Sequence, residues 1–196
     1  VSAFFLSLVV IFVAELGDKS QLMAMTFATR FRTWSVLIGI TVATAIVHLA
    51  SVLLGAAVGA ALPTGPISIL AGVAFFGFAA WTLRGDELDP DEERKAEKAS
   101  GSAMIAVGVA FFLAELGDKT MLATVTLAAG NGGLMGLTGV WAGSTLGMVA
   151  ADALAIAAGR LLGRRLPEHV IRIGAAAGFA LFGAVLLAEG IVTVLR

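Results

Sequence analysis

The chain has no cysteine, so disulfides and thiolate metal sites are excluded. It is also poor in charge. Only 14% of its 196 residues are Asp, Glu, Lys or Arg, against about 25% in an ordinary soluble domain. Residues 33–83 contain none of these, and His48 is their only ionisable side chain. Positive charge is not in excess: the formal net charge is −1, so no bulk attraction to nucleic acid is expected. The first apolar stretch lacks a basic flank and contains Glu15 and Asp18, so it does not read as a cleavable signal peptide. The first residue is Val1 rather than Met, and a few native residues are expected to precede it.

What remains is apolar. Hydrophobic residues make up 59% of the chain and the mean hydropathy is +0.97. These values predict an all-α integral membrane protein rather than a soluble core. Apolar spans fall near residues 3–28, 34–61, 67–83, 103–128, 134–158 and 170–195. Each suits a helix crossing a hydrocarbon layer, which takes about 20 residues. Basic RFRT (30–33), LPTGP (62–66) and AGNGG (129–133) mark turns between them. Gly55/Gly59, Gly143/Gly147, Gly159/Gly163 and Gly174/Gly178 have the four-residue spacing that lets membrane helices approach closely.

One hydrophilic stretch, RGDELDPDEERKAEKASGS at 84–102, divides the chain. Its mixed charge predicts a solvated linker. The halves on either side, 1–83 and 103–196, are related. AELGDKSQLMAMTFA (14–28) aligns with AELGDKTMLATVTLA (114–128), with nine identities in fifteen positions. With a shift of 104, Gly39, Thr41, Gly55 and Gly59 fall on Gly143, Thr145, Gly159 and Gly163. This is an internal duplication. Three spans per half is an odd number, so the second repeat is expected to be inverted in the membrane, with a site near the midplane where the repeats meet. Arg30, Arg32, Arg84, Arg94, Lys95, Lys98, Arg160, Arg164, Arg165 and Arg172 fall on one side and only Arg196 on the other. The positive-inside rule then puts the linker in the cytoplasm and both termini outside.

Glu15 and Asp18 are three residues apart, as are Glu115 and Asp118, a spacing that places each pair on one helix face. A buried charge halfway along a span costs at least about 2.5 kcal/mol on insertion scales, so such residues face the bundle interior and find a partner. Inversion is expected to bring all four carboxylates to one point. That hard-oxygen environment suits Ca²⁺, Mn²⁺ or Mg²⁺. Ser20, Thr120 and Gln21 can add oxygens, and Gly17 and Gly117 loosen the helix inside each motif. Lys19 and Lys119 serve either as tethered counter-ions to the carboxylates or in structural salt bridges. A buried ion network that merely holds helices together is the alternative for the whole motif.

The twin E-x-G-D-[KR]-[ST] motif, six spans and a hydrophilic middle linker resemble the Gdt family of Ca²⁺/Mn²⁺:H⁺ exchangers over essentially the whole chain. The resemblance implies a secondary active antiporter in which Glu15, Asp18, Glu115 and Asp118 hold the cation and Lys19, Ser20, Lys119 and Thr120 complete the motifs. It implies lipid and a divalent cation as partners, no enzyme activity and no resident cofactor, the metal and protons being cargo. Without the additional N-terminal span or targeting segment of organellar members, it implies a bacterial plasma-membrane protein. Two other functions fit the same residues: a uniporter or channel indifferent to pH, and an exporter of an organic cation, for which Phe12 and Phe112 would form walls. An intramembrane aspartyl protease fits less well, since that chemistry resembles a family marked by GxGD and this motif reads ELGD. His48 and Asp152 align across the repeats. They are candidates for a proton path, with simple packing as the alternative for His48.

Overall fold

The computed structural model describes residues 2–84, 102–162 and 168–195, which form eight α-helices. The predicted linker, apart from its end residues, lies outside the described residues, as do Arg94, Lys95, Lys98, Gly163, Arg164, Arg165 and Arg196. The helices are α1 (Ser2–Glu15), α2 (Lys19–Arg30), α3 (Thr33–Ala61) and α4 (Thr64–Arg84), then α5 (Ala103–Glu115), α6 (Lys119–Gly130), α7 (Gly133–Leu162) and α8 (Glu168–Leu195). Four of them, α3, α4, α7 and α8, are long and apolar enough to cross a membrane; α1 and α5 are shorter apolar helices. The predicted first and fourth spans are therefore each two helices, broken inside the ELGD motif.

The surface and interior are reversed relative to a soluble protein. Phe5, Ile38, Val42, Leu53, Val73, Leu181 and Val185 are exposed, whereas Glu15, Asp18, Gln21, His48, Glu115, Asp118, Lys119 and Asp152 are buried. Lipid solvates the first set, and only the protein can satisfy the second.

Close backbone approach fixes how the helices lie. Gly139, Gly143 and Gly147 of α7 lie against Phe4, Leu8 and Phe12 of α1, and Gly159 further along lies against Met25 of α2. Gly39 of α3 lies against Met104 and Val107 of α5, and Gly55 and Gly59 against Val125, Ala128 and Ala129 of α6. Each broken pair thus runs along the full length of one long helix, in the same direction as it. A Cβ on Gly59 would sit 2.6 Å from the Ala129 carbonyl oxygen and one on Gly147 2.5 Å from that of Leu8, distances no side chain tolerates. Gly174 has nothing near its would-be Cβ and Gly178 only a Val13 methyl, so that pair does not work as a close-packing motif here.

α4 and α8 pair with each other in antiparallel fashion: Gly65 lies against Val194, Gly72 against Gly183 and Leu187, and Gly190 against Ile69. Their aromatic rings meet as well, with Phe75 and Phe78 at 5.8 and 5.9 Å from Phe179 between centroids.

Two apolar clusters result. One contains Ile11, Ala14, Val52, Leu127, Val140 and Met148, joined by Phe75, Phe78 and Phe179. The other contains Phe111, Ala114, Ile156, Phe27, Val36 and Met23. Ile11, Ala14, Val52, Leu127 and Val140 are the repeat counterparts of Phe111, Ala114, Ile156, Phe27 and Val36. The polar residues of the two motifs lie at the helix ends between these clusters.

Candidate metal site

Each motif ends one helix and begins the next. In the first, Glu15 closes α1 and Asp18 caps α2, its side chain accepting from Ser20 N at 3.3 Å. In the second, Glu115 closes α5 and Asp118 is the N-cap of α6. The break between them takes a left-handed residue, and Gly17 (φ 76°) and Gly117 (φ 80°) supply it. Two helix N-termini therefore start at the carboxylates, where their exposed N–H groups and positive dipole ends favour negative charge.

The break also changes which side chains meet. Ser20 Oγ donates to Glu15 Oε1 and lies 3.2 Å from Asp18 Oδ2. Thr120 Oγ1 donates to Glu115 Oε2 at 2.8 Å. In both repeats the hydroxyl five positions after the glutamate orients it, a spacing made possible by the turn at glycine.

Glu15, Asp18 and Glu115 each present a carboxylate oxygen, all within 4.8 Å of one another, and all three residues are buried. Glu15 Oε2 and Glu115 Oε1 have no hydrogen-bond partner. Asp118 is buried too and lies beside Glu115, outside the mutually close group of three. Lys119, 3% exposed, crosses between the repeats and forms an ion pair with Asp18 Oδ1. Lys19, at the equivalent position, is half-buried. Three mutually close carboxylates in a water-poor site repel one another unless a positive charge stands among them. Their oxygens are hard donors of the kind that Ca²⁺ and Mn²⁺ accept.

Gln21 is placed differently from the expected oxygen ligand. Its Oε1 accepts from Gly17 N at 2.9 Å, and its Nε2 donates to the Ala151 carbonyl at 3.2 Å. It ties the break in the first motif to α7. Its counterpart Met121 offers only a sulfur, 3.2 Å from Gly117 N. His48 is buried, with Nδ1 3.3 Å from Thr145 Oγ1. Asp152, two turns further along α7, is fully buried. Phe112 lines an apolar cavity of about 490 Å³ between α3 and α5, together with Gly39, Val42, Ile46 and Gly108.

Sequence reasoning missed Thr145 as the partner of His48. The available signal was that Thr145 and Thr41 align across the repeats. It also counted Arg160 only toward orientation, although its guanidinium donates to the Ala28 carbonyl at 3.0 Å and so joins α7 to α2.

An apolar-surfaced helical bundle with a buried acidic centre at two helix breaks defines an integral membrane protein with a charged interior. The family described as divalent cation/proton antiporter GDT1 matches residues 3–90 and 103–193. The chain belongs to this GDT1 family. It is 33% identical over 168 residues to a Vibrio cholerae protein named "Putative manganese exporter", covering 85% of this chain and 81% of the relative. It is 32% identical to a GDT1-like protein of Synechocystis, covering 94% of this chain and 96% of the relative. The chloroplastic protein PAM71 of Arabidopsis thaliana is 32% identical over 96% of this chain, which spans 57% of that protein's length. No solved structure matches the chain.

Proposed function

We propose that this protein exchanges a divalent cation, Mn²⁺ or Ca²⁺, for protons by alternating access, and that it exports the cation. The observation that carries this reading is the convergence of Glu15, Asp18 and Glu115 within 4.8 Å at two broken helices. The family match supports proton coupling, and the name of the Vibrio cholerae relative favours Mn²⁺ and the outward direction. The same oxygens hold either the metal or protons, and that competition couples the two flows. No resident cofactor takes part.

The membrane arrangement belongs to the same proposal. The bilayer is crossed six times, α1–α2 and α5–α6 each serving as one discontinuous span, so that residues 1–83 and 103–196 form inverted repeats. The run of close contacts supports this. α7 lies parallel to α1–α2, α3 lies parallel to α5–α6, and the repeat-related α4 and α8 are antiparallel. The protein resides in a bacterial plasma membrane with residues 84–102 cytoplasmic and both termini outside, in keeping with the basic residues near the 31–32 turn. The cysteine-free chain makes this testable. A single cysteine at Pro63 or Gly132 should react with a membrane-impermeant thiol reagent added outside intact cells, and one at Arg32 should not.

The energetics favour exchange. Expelling a divalent cation against an inside-negative potential costs about 4.6 kcal/mol per 100 mV, at about 2.3 per charge. Two entering protons cancel that charge movement, and each unit of inward pH gradient adds about 1.36 kcal/mol per proton. An organic-cation exporter would need aromatic walls around the carboxylates, yet Phe112 lines the apolar cavity between α3 and α5 instead.

Proteoliposomes carrying a pH dye, with the membrane potential clamped, test the exchange. Added Mn²⁺ or Ca²⁺ should enter while protons leave, and Glu15→Gln and Glu115→Gln should each abolish both movements. Metal entry without proton movement would make the protein a uniporter. No movement of either ion by folded protein would refute divalent-cation transport.

A further inference from the structure

Asp152 belongs to neither motif. Its repeat counterpart is His48, so the duplication does not account for a carboxylate there. It lies within α7, is 0% exposed, and neither of its carboxylate oxygens has a hydrogen-bond partner. A buried ionised carboxylate left alone costs several kcal/mol. Its repeat counterpart His48 is engaged with Thr145.

One side chain ties the backbone beside Asp152 to the first break. Gln21, which grips the break at Gly17, also grips the carbonyl of Ala151, the residue before Asp152. That link sets Asp152 one residue from a backbone contact with the break, within electrostatic reach of Glu15, Asp18 and Glu115. Asp118 and Asp152 both lie outside the group of three whose oxygens meet within 4.8 Å, Asp118 beside Glu115 and Asp152 on the side of Asp18. We infer that Asp152 is a ligand of the transported cation, the one carboxylate at the centre that comes from outside the twin motif, and that it helps set which divalent ion is preferred. The inference rests on the cation transport proposed above and deepens it. It makes the site lopsided: the first repeat's break faces Gln21 and Asp152, while the second repeat has Met121 and His48 at the matching positions.

Direct binding separates this inference from the transport reading. The full chain in detergent is titrated with Mn²⁺ and the free ion followed by electron paramagnetic resonance, with Ca²⁺ as competitor. Wild-type protein should bind both ions. Asp152→Asn should weaken Mn²⁺ binding by about 10- to 100-fold while its helical circular dichroism stays unchanged. Asp152→Glu keeps the charge but moves the oxygens by one methylene; it should bind, with the Mn²⁺/Ca²⁺ preference altered by about threefold or more through the changed cavity size. Wild-type affinity in Asp152→Asn would overturn the inference and leave the transport reading intact. If Asp152→Asn does not fold, an unaltered ion preference in Asp152→Glu overturns it equally. Failure of the wild-type protein to bind either ion would overturn both.

Discussion

Lys19 and Lys119 occupy the same place in the same six-residue motif, yet only Lys119 is fully buried, paired with Asp18 of the other repeat. An ammonium on that carboxylate stands where a divalent cation would need to bind. On the proposed reading it is a tethered competitor as well as a tie between the repeats. Removing one partner of a buried ion pair costs about 3–5 kcal/mol, because the remaining charge is uncompensated. Lys119→Gln should thus lower Tm in metal-free detergent. A ligand that binds only the folded state stabilises it in proportion to its affinity, so Mn²⁺ should raise Tm more in Lys119→Gln than in the wild type. Equal Mn²⁺ stabilisation of both proteins would reduce Lys119 to a structural salt bridge. The hydroxyls permit a parallel test. Ser20→Ala and Thr120→Ala each remove a hydrogen bond to a carboxylate, worth about 1.5–3 kcal/mol. Either should raise KM for the cation by about tenfold or more.

Among the elements, glycines at equivalent repeat positions face different neighbours. A Cβ on Gly55 meets the backbone of Val125 and Ala129, whereas one on Gly159 meets only the sulfur end of the flexible Met25 side chain. Gly55→Ala should therefore cost about 1–3 kcal/mol through overpacking, and Gly159→Ala much less. Comparing Tm for the two variants in one detergent checks this, and equal losses would contradict it. Gly17→Ala and Gly117→Ala strain a left-handed turn by about 1–2 kcal/mol and should weaken cation binding by misplacing Glu15 or Glu115. Much of this was legible in the sequence. The duplicated motif, its glycines and the GxxxG spacings point to breaks and close crossings, because a repeat states the same constraint twice. Asymmetry was not legible. Nothing local in two copies of AELGDK says which lysine is buried or which aspartate meets both glutamates. The repeats differ at Gln21 against Met121 and Asp152 against His48, and the buried ion pair joins residues 101 apart in the chain.

For the whole molecule, the two related apolar clusters flank the acidic centre, and they are not packed in the same way. Toward the 62–63 and 131–132 turns, α3 meets α6 backbone to backbone at Gly55 and Gly59, and Phe75, Phe78 and Phe179 reinforce the cluster. Toward the 31–32 turn, α7 meets α2 through the Met25 sulfur and the Arg160 guanidinium, both side-chain contacts. Side-chain contacts can part by rotamer changes, whereas the glycine-mediated seam must move as a backbone unit. Under the proposed alternating access the two arrangements exchange between repeats, and α3 and α6 then separate as α7 closes onto α2. Val58 and Ala129 line the same small cavity, about 180 Å³, beside that seam. Cysteines placed at both positions and joined by a short reducible cross-linker should stop exchange, with recovery on reduction, while either single cysteine should transport normally after the same treatment. Full transport by the cross-linked double variant would mean that this seam stays shut throughout the cycle, and the opening would then have to be sought between α1 and α7.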